Sequence, residues 1–112
     1  MGSGEGRCAG PVAIMSTKIV FRRLAQAEFA ESAQWYEQQR EGLGEEFIEH
    51  VQRVLDKIRE DPLQYAIALR DIREAIVSKF PFVIYYRVKT DRVVIIAVFH
   101  CSRNPADWQG RN

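Results

Sequence analysis

From residue 24 onward the spacing of apolar residues changes period once, near residue 70, and that change limits the architectures open to this chain. Before it the spacing is helical. Ala25, Phe29, Ala33 and Tyr36 form one stripe; Leu43, Phe47, Val51, Val54 and Ile58 form a second, widened by Ile48 and Leu55. Glu28, Glu31, Glu37 and Gln38 lie off the first stripe and read as solvent-facing. Glu41-Gly42-Leu43-Gly44 stops the first helix, because a glycine just past the last turn relieves the left-handed cap position. Pro62 ends the second. Two helices joined by so short a link lie antiparallel, as a hairpin.

After a loop around Pro62 to Leu69 the pattern is β until about Cys101. Ile72–Val77, Phe82–Val88 and Val93–His100 are separated by Lys79-Phe80-Pro81 and by Thr90-Asp91, and Thr17–Arg22 reads as a first strand. The expected fold is α+β, ordered β-α-α-β-β-β, with the helical hairpin on one face of a small antiparallel sheet. A two-residue turn at Thr90-Asp91 sets Tyr86 opposite Ile95, Phe82 opposite Phe99 and Pro81 opposite His100. A similar turn about Lys79-Phe80 puts Arg73 beside Tyr86. Strict alternation then sends Ala75, Val77, Phe82, Ile84, Tyr86, Val88, Val93, Ile95, Ala97 and Phe99 toward the helices. The other face carries Ile72, Glu74, Ile76, Val83, Tyr85, Arg87, Val94, Ile96, Val98 and His100. No segment is left to cover that second face, which makes it the expected partner-binding surface, with the first strand, the N-terminal tail or a second copy as alternative covers.

At 112 residues the chain makes one domain, residues 17–112. Residues 1–16 read as a flexible tail or an expression remnant, with Met15-Ser16 as an alternative start. Cys8 and Cys101 form no redox motif or disulfide framework, and two histidines argue against a metal cluster, so no metal or cofactor is expected. No apolar run reaches the roughly 18–20 residues needed to cross a bilayer, and no phosphate-cradling or dinucleotide-binding glycine motif occurs. A cytoplasmic location follows as the expectation. The formal charge of +1 conceals a division. Residues 23–62 hold 5 Lys/Arg against 10 Asp/Glu, net −5, whereas residues 63–112 hold 8 against 4, net +4. The sheet half therefore suits an anionic partner, an acidic peptide or a nucleic-acid phosphate.

Trp35-Tyr36-Glu37 followed by Gly42-Leu43-Gly44-Glu45-Glu46-Phe47 resembles the W-Y-E…G-L-G-x-E-F signature of the ParE/RelE toxins of type II toxin–antitoxin systems. Pro62-Leu63-Gln64-Tyr65, Arg73, Phe80 to Tyr86, Ala97 to His100, Arg103-Asn104-Pro105 and Trp108 follow in the family's order, so the resemblance covers about residues 18–111. It implies a bacterial toxin held inactive by a cognate antitoxin in a hetero-oligomer, the antitoxin's C-terminal segment wrapping the toxin. The family divides by target. ParE-like members inhibit DNA gyrase; RelE-like members cut messenger RNA on the ribosome without a metal.

RNA cleavage of that kind needs a base for the 2′-hydroxyl, an acid for the leaving oxygen and cations at the phosphate. His100, Arg103, Tyr85 and Arg73 are the candidates, with Lys79 and Arg87 as further cations. A histidine is naturally suited to proton transfer at neutral pH. Only Lys79 and Lys89 represent lysine beyond residue 62, which departs from the lysine-rich cluster of many ribosome-dependent members and favours the gyrase-directed reading. A non-toxic interaction domain is the further alternative. Ile76, Tyr85, Arg87, Ile96, Val98, Arg103 and Trp108 are the candidate partner contacts. Individual side chains carry ordinary expectations too: Trp108 as a plug at one end of the core, Trp35 within the hairpin packing, His50 exposed, and Cys101 as a small buried hydrophobe.

Overall fold

A computed structural model describes residues 17–111; the expectations for residues 1–16 lie outside them. The helical hairpin is α1 (Arg23–Gln39) and α2 (Leu43–Glu60). Its turn explains the spacing of the Trp-Tyr-Glu and Gly-Leu-Gly pieces. Gly42 has φ 88°, a left-handed conformation that glycine adopts without strain. The Glu37 carboxylate, near the end of α1, accepts the backbone N–H of Gly42 and of Gly44, each at 3.0 Å. One helix thus caps the N-terminus of the next, where free N–H groups and the helix dipole both favour an anion. Gly44 is also where the helices come closest: a Cβ there would sit 2.6 Å from the Ala33 carbonyl oxygen. Glu37 is therefore a structural ligand, correcting its reading as solvent-facing.

The sheet has five strands: β1 (Lys18–Phe21), β2 (Ile67–Leu69), β3 (Ile72–Ile76), β4 (Phe82–Val88) and β5 (Arg92–His100). Their order is β1-β5-β4-β3-β2, with β1 parallel to β5 and the other pairs antiparallel. The α+β architecture is the expected one, refined in two ways: the sheet is mixed, and Ile67–Leu69, read as loop, is an edge strand. A final turn of helix, α3 (Ala106–Gln109), follows β5.

Arg73 stands beside Tyr86 and Tyr86 beside Ile95, as the turns require. One residue later the ladder shifts: Tyr85 pairs with Ala97, leaving Ile96 as an extra residue in β5. This bulge reverses every side chain beyond it. Phe82 faces His100 and Val83 faces Phe99, not the expected pairs. Val98 joins the helix-side core, whereas Ala97 and Phe99 move to the opposite face with Ile72.

The main core sits between hairpin and sheet. Phe47, Val51, Val54, Leu55 and Ile58 of α2 pack with Ala25 of α1 against Ala75, Val77, Phe82, Ile84, Tyr86, Val93, Ile95 and Val98. Phe47 is its centre, with ring centroids 4.9 Å from Phe82, 5.2 Å from Tyr36 and 5.3 Å from Phe80. Phe80 reaches back from the β3–β4 turn over α2 and covers His50, which is buried, correcting its reading as exposed; the imidazole Nδ1 lies 2.8 Å from the Glu46 carbonyl oxygen.

The second sheet face is partly covered after all. Residues 101–111 fold back across it and place Trp108, 2% exposed, against Ile72, Ala97 and Phe99. The tryptophan is a plug as expected, but of this second cluster. Cys101 is exposed, not a buried hydrophobe, and Trp35 is 56% exposed, its ring edge on Tyr36.

Candidate partner interface

The four candidate catalytic residues do not meet. The bulge carries His100 to the helix side of the sheet, where its ring packs 5.1 Å from Phe82 and its Nδ1 accepts the Ser102 backbone N–H at 3.0 Å. The Ser102 hydroxyl lies 2.8 Å from the same nitrogen. Tyr85 is on the opposite face, its ring stacked on Trp108 at 3.8 Å. Burial, and then the charge of Glu74, raise the Tyr85 phenol above its ordinary pKa, so it stays protonated at neutral pH. Arg103 lies on the Tyr85 side, its guanidinium 4.3 Å above the Phe99 ring and 2.7 Å from Glu28. Arg73 is bound to the loop after α2, donating to the Tyr65 carbonyl at 2.6 Å and to that of Leu63 at 3.3 Å.

The proposed partner contacts also divide. Ile96, Val98 and Trp108 are buried. Arg87 is ion-paired to Asp71 at 3.0 Å, which holds that carboxyl below its ordinary pKa. Ile76 is the exposed apolar member, at 73%. It pairs with Val83, which pairs with Phe99, so an apolar row runs from open solvent to the edge of the Trp108 plug.

Two surfaces escaped the sequence reading. Leu63 and Ile67 are exposed on the segment between α2 and β3, which is held by Arg73 and by its cross-strand neighbour Tyr86, whose hydroxyl donates to the Pro62 carbonyl at 2.6 Å. A groove of about 400 Å³ lies between α1 and the end of β5, lined by Ser32, Trp35, Tyr36, Phe82 and His100. The off-stripe position of Trp35 was a signal for this groove; nothing local marks Leu63.

Glu28 lies at the other end of this region. Its carboxylate accepts the Val98 N–H at 3.0 Å, Arg103 at 2.7 Å and Arg111 at 2.7 and 3.0 Å. Burial pushes its pKa up, but the bonds from Arg111, Arg103 and Val98 outweigh that and hold it below the ordinary carboxylate value. It too is no solvent-facing residue. Among the described residues no cluster of three or more His, Cys, Asp or Glu side chains is placed to hold a metal, and no helix is long and apolar enough to cross a membrane.

The family model for the "ParE toxin of type II toxin-antitoxin system, parDE" matches residues 19–105, from β1 through the start of the C-terminal segment. This chain belongs to the ParE toxin family. Nine chains of solved structures match, among them one from the "Chromosomal ParDE TA system from P. aeruginosa". That chain is 17% identical at a TM-score of 0.59, with 77% of this chain and 97% of that one covered; at such identity the likeness concerns the fold. No curated protein matches at the same stringency. In this ParE-family chain the matched segment includes the Glu37 cap, Gly42, Gly44, the loop pinned by Arg73 and Tyr86, and the Ile96 bulge.

Proposed function

We propose that this chain is a growth-inhibiting toxin that acts on DNA gyrase in the bacterial cytoplasm and is neutralised by a cognate antitoxin bound in a hetero-oligomer. The observation that carries the choice of target is the separation of His100 from Tyr85. Proton transfer at one phosphate requires the acid and the base within hydrogen-bond reach of the same site. Here the sheet lies between them, and Arg103 and Arg73 are committed to Glu28 and to backbone carbonyls. Inhibition of a partner enzyme needs a shaped surface only, so no residue of this chain is assigned a bond-breaking role. The exposed Ile76, Leu63, Ile67 and Trp35 supply apolar anchors of the kind a wrapping antitoxin segment buries.

Purified protein added to gyrase and relaxed plasmid is expected to block supercoiling, while messenger RNA on translating ribosomes stays intact in parallel reactions. Normal supercoiling together with new RNA ends at the ribosomal A site would reverse the assignment to the RNA-cleaving alternative. Normal supercoiling, intact RNA and normal growth on induction would leave a non-toxic interaction domain.

A further inference from the structure

β5 outruns its neighbour. β1 ends opposite Ile95, where the Arg22 N–H donates to the Ile95 carbonyl and the chain turns into α1. Beyond that point the outer edge of β5 has, among the described residues, no strand beside it, and side chains take the strand's place: Arg111 donates to the Ile96 carbonyl at 3.2 Å, and Glu28 accepts the Val98 N–H. The same Glu28 carboxylate holds both Arg103 and Arg111. One residue of α1 therefore satisfies the strand edge and ties down the segment that covers the second sheet face.

That segment also holds itself together. It carries its own hydrogen bonds: Asn104 Oδ1 accepts the Ala106 N–H, the Asn104 and Pro105 carbonyls accept from Asp107, Trp108 and Gln109, and the Trp108 carbonyl accepts from Arg111. Asp107, 3.5 Å from Arg103, offers that arginine a partner inside the segment. Its seat is imperfect. Trp108 Nε1 is buried with no hydrogen bond of full geometry among the described residues, the Tyr85 hydroxyl offering only a weaker contact, and water would satisfy it better on opening.

We infer that residues 101–111 are a latched cover with Glu28 as the catch. Releasing Glu28 lifts Trp108 from Tyr85 and joins Phe99 and Ile72 to the exposed Ile76–Val83 row, so the second face is narrow when closed and broad when open. Glu28 is a positioning residue: it acts on that face through the arginines it holds. That the open face receives a partner rests on the function proposed above; the latch does not, and its test uses the full chain alone.

The test is limited trypsin digestion read by mass spectrometry, with Trp108 fluorescence followed in a Trp35→Phe background. Glu28→Gln is expected to speed cleavage after Arg103 at least tenfold and to shift Trp108 emission to the red, with cleavage after Arg73 and Arg87 and the far-UV circular dichroism unchanged. Arg111→Gln, which leaves the Val98 N–H bond in place, is expected to do the same. Wild-type cleavage and emission in Glu28→Gln would overturn the latch. So would general acceleration of cleavage with loss of helical signal, which would make Glu28 a residue of the fold, or an effect of Glu28→Gln that Arg111→Gln does not share.

Discussion

Tyr86 fixes a loop with one hydroxyl. Its donation to Pro62 and the two bonds from Arg73 order the segment that displays Leu63 and Ile67, and the Tyr65 ring packs edge-on against it at 6.3 Å. Burial pushes the Tyr86 phenol up to about 12, against the opposing charge of Arg73. The ordinary value is about 10, so the unfolded chain ionises first as pH rises. Below pH 10 this contributes no slope; between about 10 and 12 the unfolded state sheds a proton that the folded state keeps, and stability falls by roughly 2–3 kcal/mol. Urea denaturation of the wild type across this range should show the loss, and Tyr86→Phe should flatten it while costing about 1 kcal/mol near pH 8 for the missing hydrogen bond. Tyr36, Tyr65 and Tyr85 are shifted upward as well, so the slope shrinks without vanishing. An unchanged slope in Tyr86→Phe would place the alkaline sensitivity elsewhere.

The two glycines of the hairpin turn make different demands. Gly44→Ala drives a methyl group into the Ala33 carbonyl, so the helices must separate, at a cost of about 1–3 kcal/mol. Gly42→Ala meets open space and incurs only left-handed backbone strain, about 1–2 kcal/mol. Denaturant midpoints should rank wild type above Gly42→Ala and Gly44→Ala lowest; the reverse order would mean that helix spacing is not limiting. This element was legible because its information is local: the 3–4 stripes, the glycine turn and Pro62. The sheet was legible only up to Ile95. Val93 to Phe99 is apolar at every position, so no alternation locks the register, and a one-residue bulge satisfies burial as well as regular pairing does. That ambiguity is why His100 was expected on the same face as Tyr85. Strand β2 was hidden by its three-residue length. Glu28 read as solvated because its partners stand 70–83 residues away in the chain; Glu37 did so because its partners are backbone N–H groups of the turn, and the spacing of apolar residues carries no record of either.

At the scale of the whole molecule, the acidic hairpin and the basic C-terminal segment are joined at Glu28, so closure of the second face depends on charge. The depressed pKa of Glu28 means that its contribution is complete above the ordinary carboxylate value, about 4.3, and fades as pH falls through the folded value below it. The groups facing it are Arg103, Arg111 and the Val98 N–H, with Asp107 competing for Arg103. Trp108 emission in the Trp35→Phe background should therefore shift red on acidification before the helical signal is lost; coincident transitions would show one cooperative unit. The Ile96 bulge acts on the same scale. A strand is a binary signal, in or out, and one inserted residue inverts its phase for everything downstream. Deleting Ile96 would therefore leave the downstream pairs as they are, Ala97 on Tyr85, Val98 on Ile84, Phe99 on Val83 and His100 on Phe82, in a strand without a bulge. The bulge is thus a buffer of length: it absorbs one residue of the chain and leaves the histidine and the tyrosine on opposite sides of the sheet.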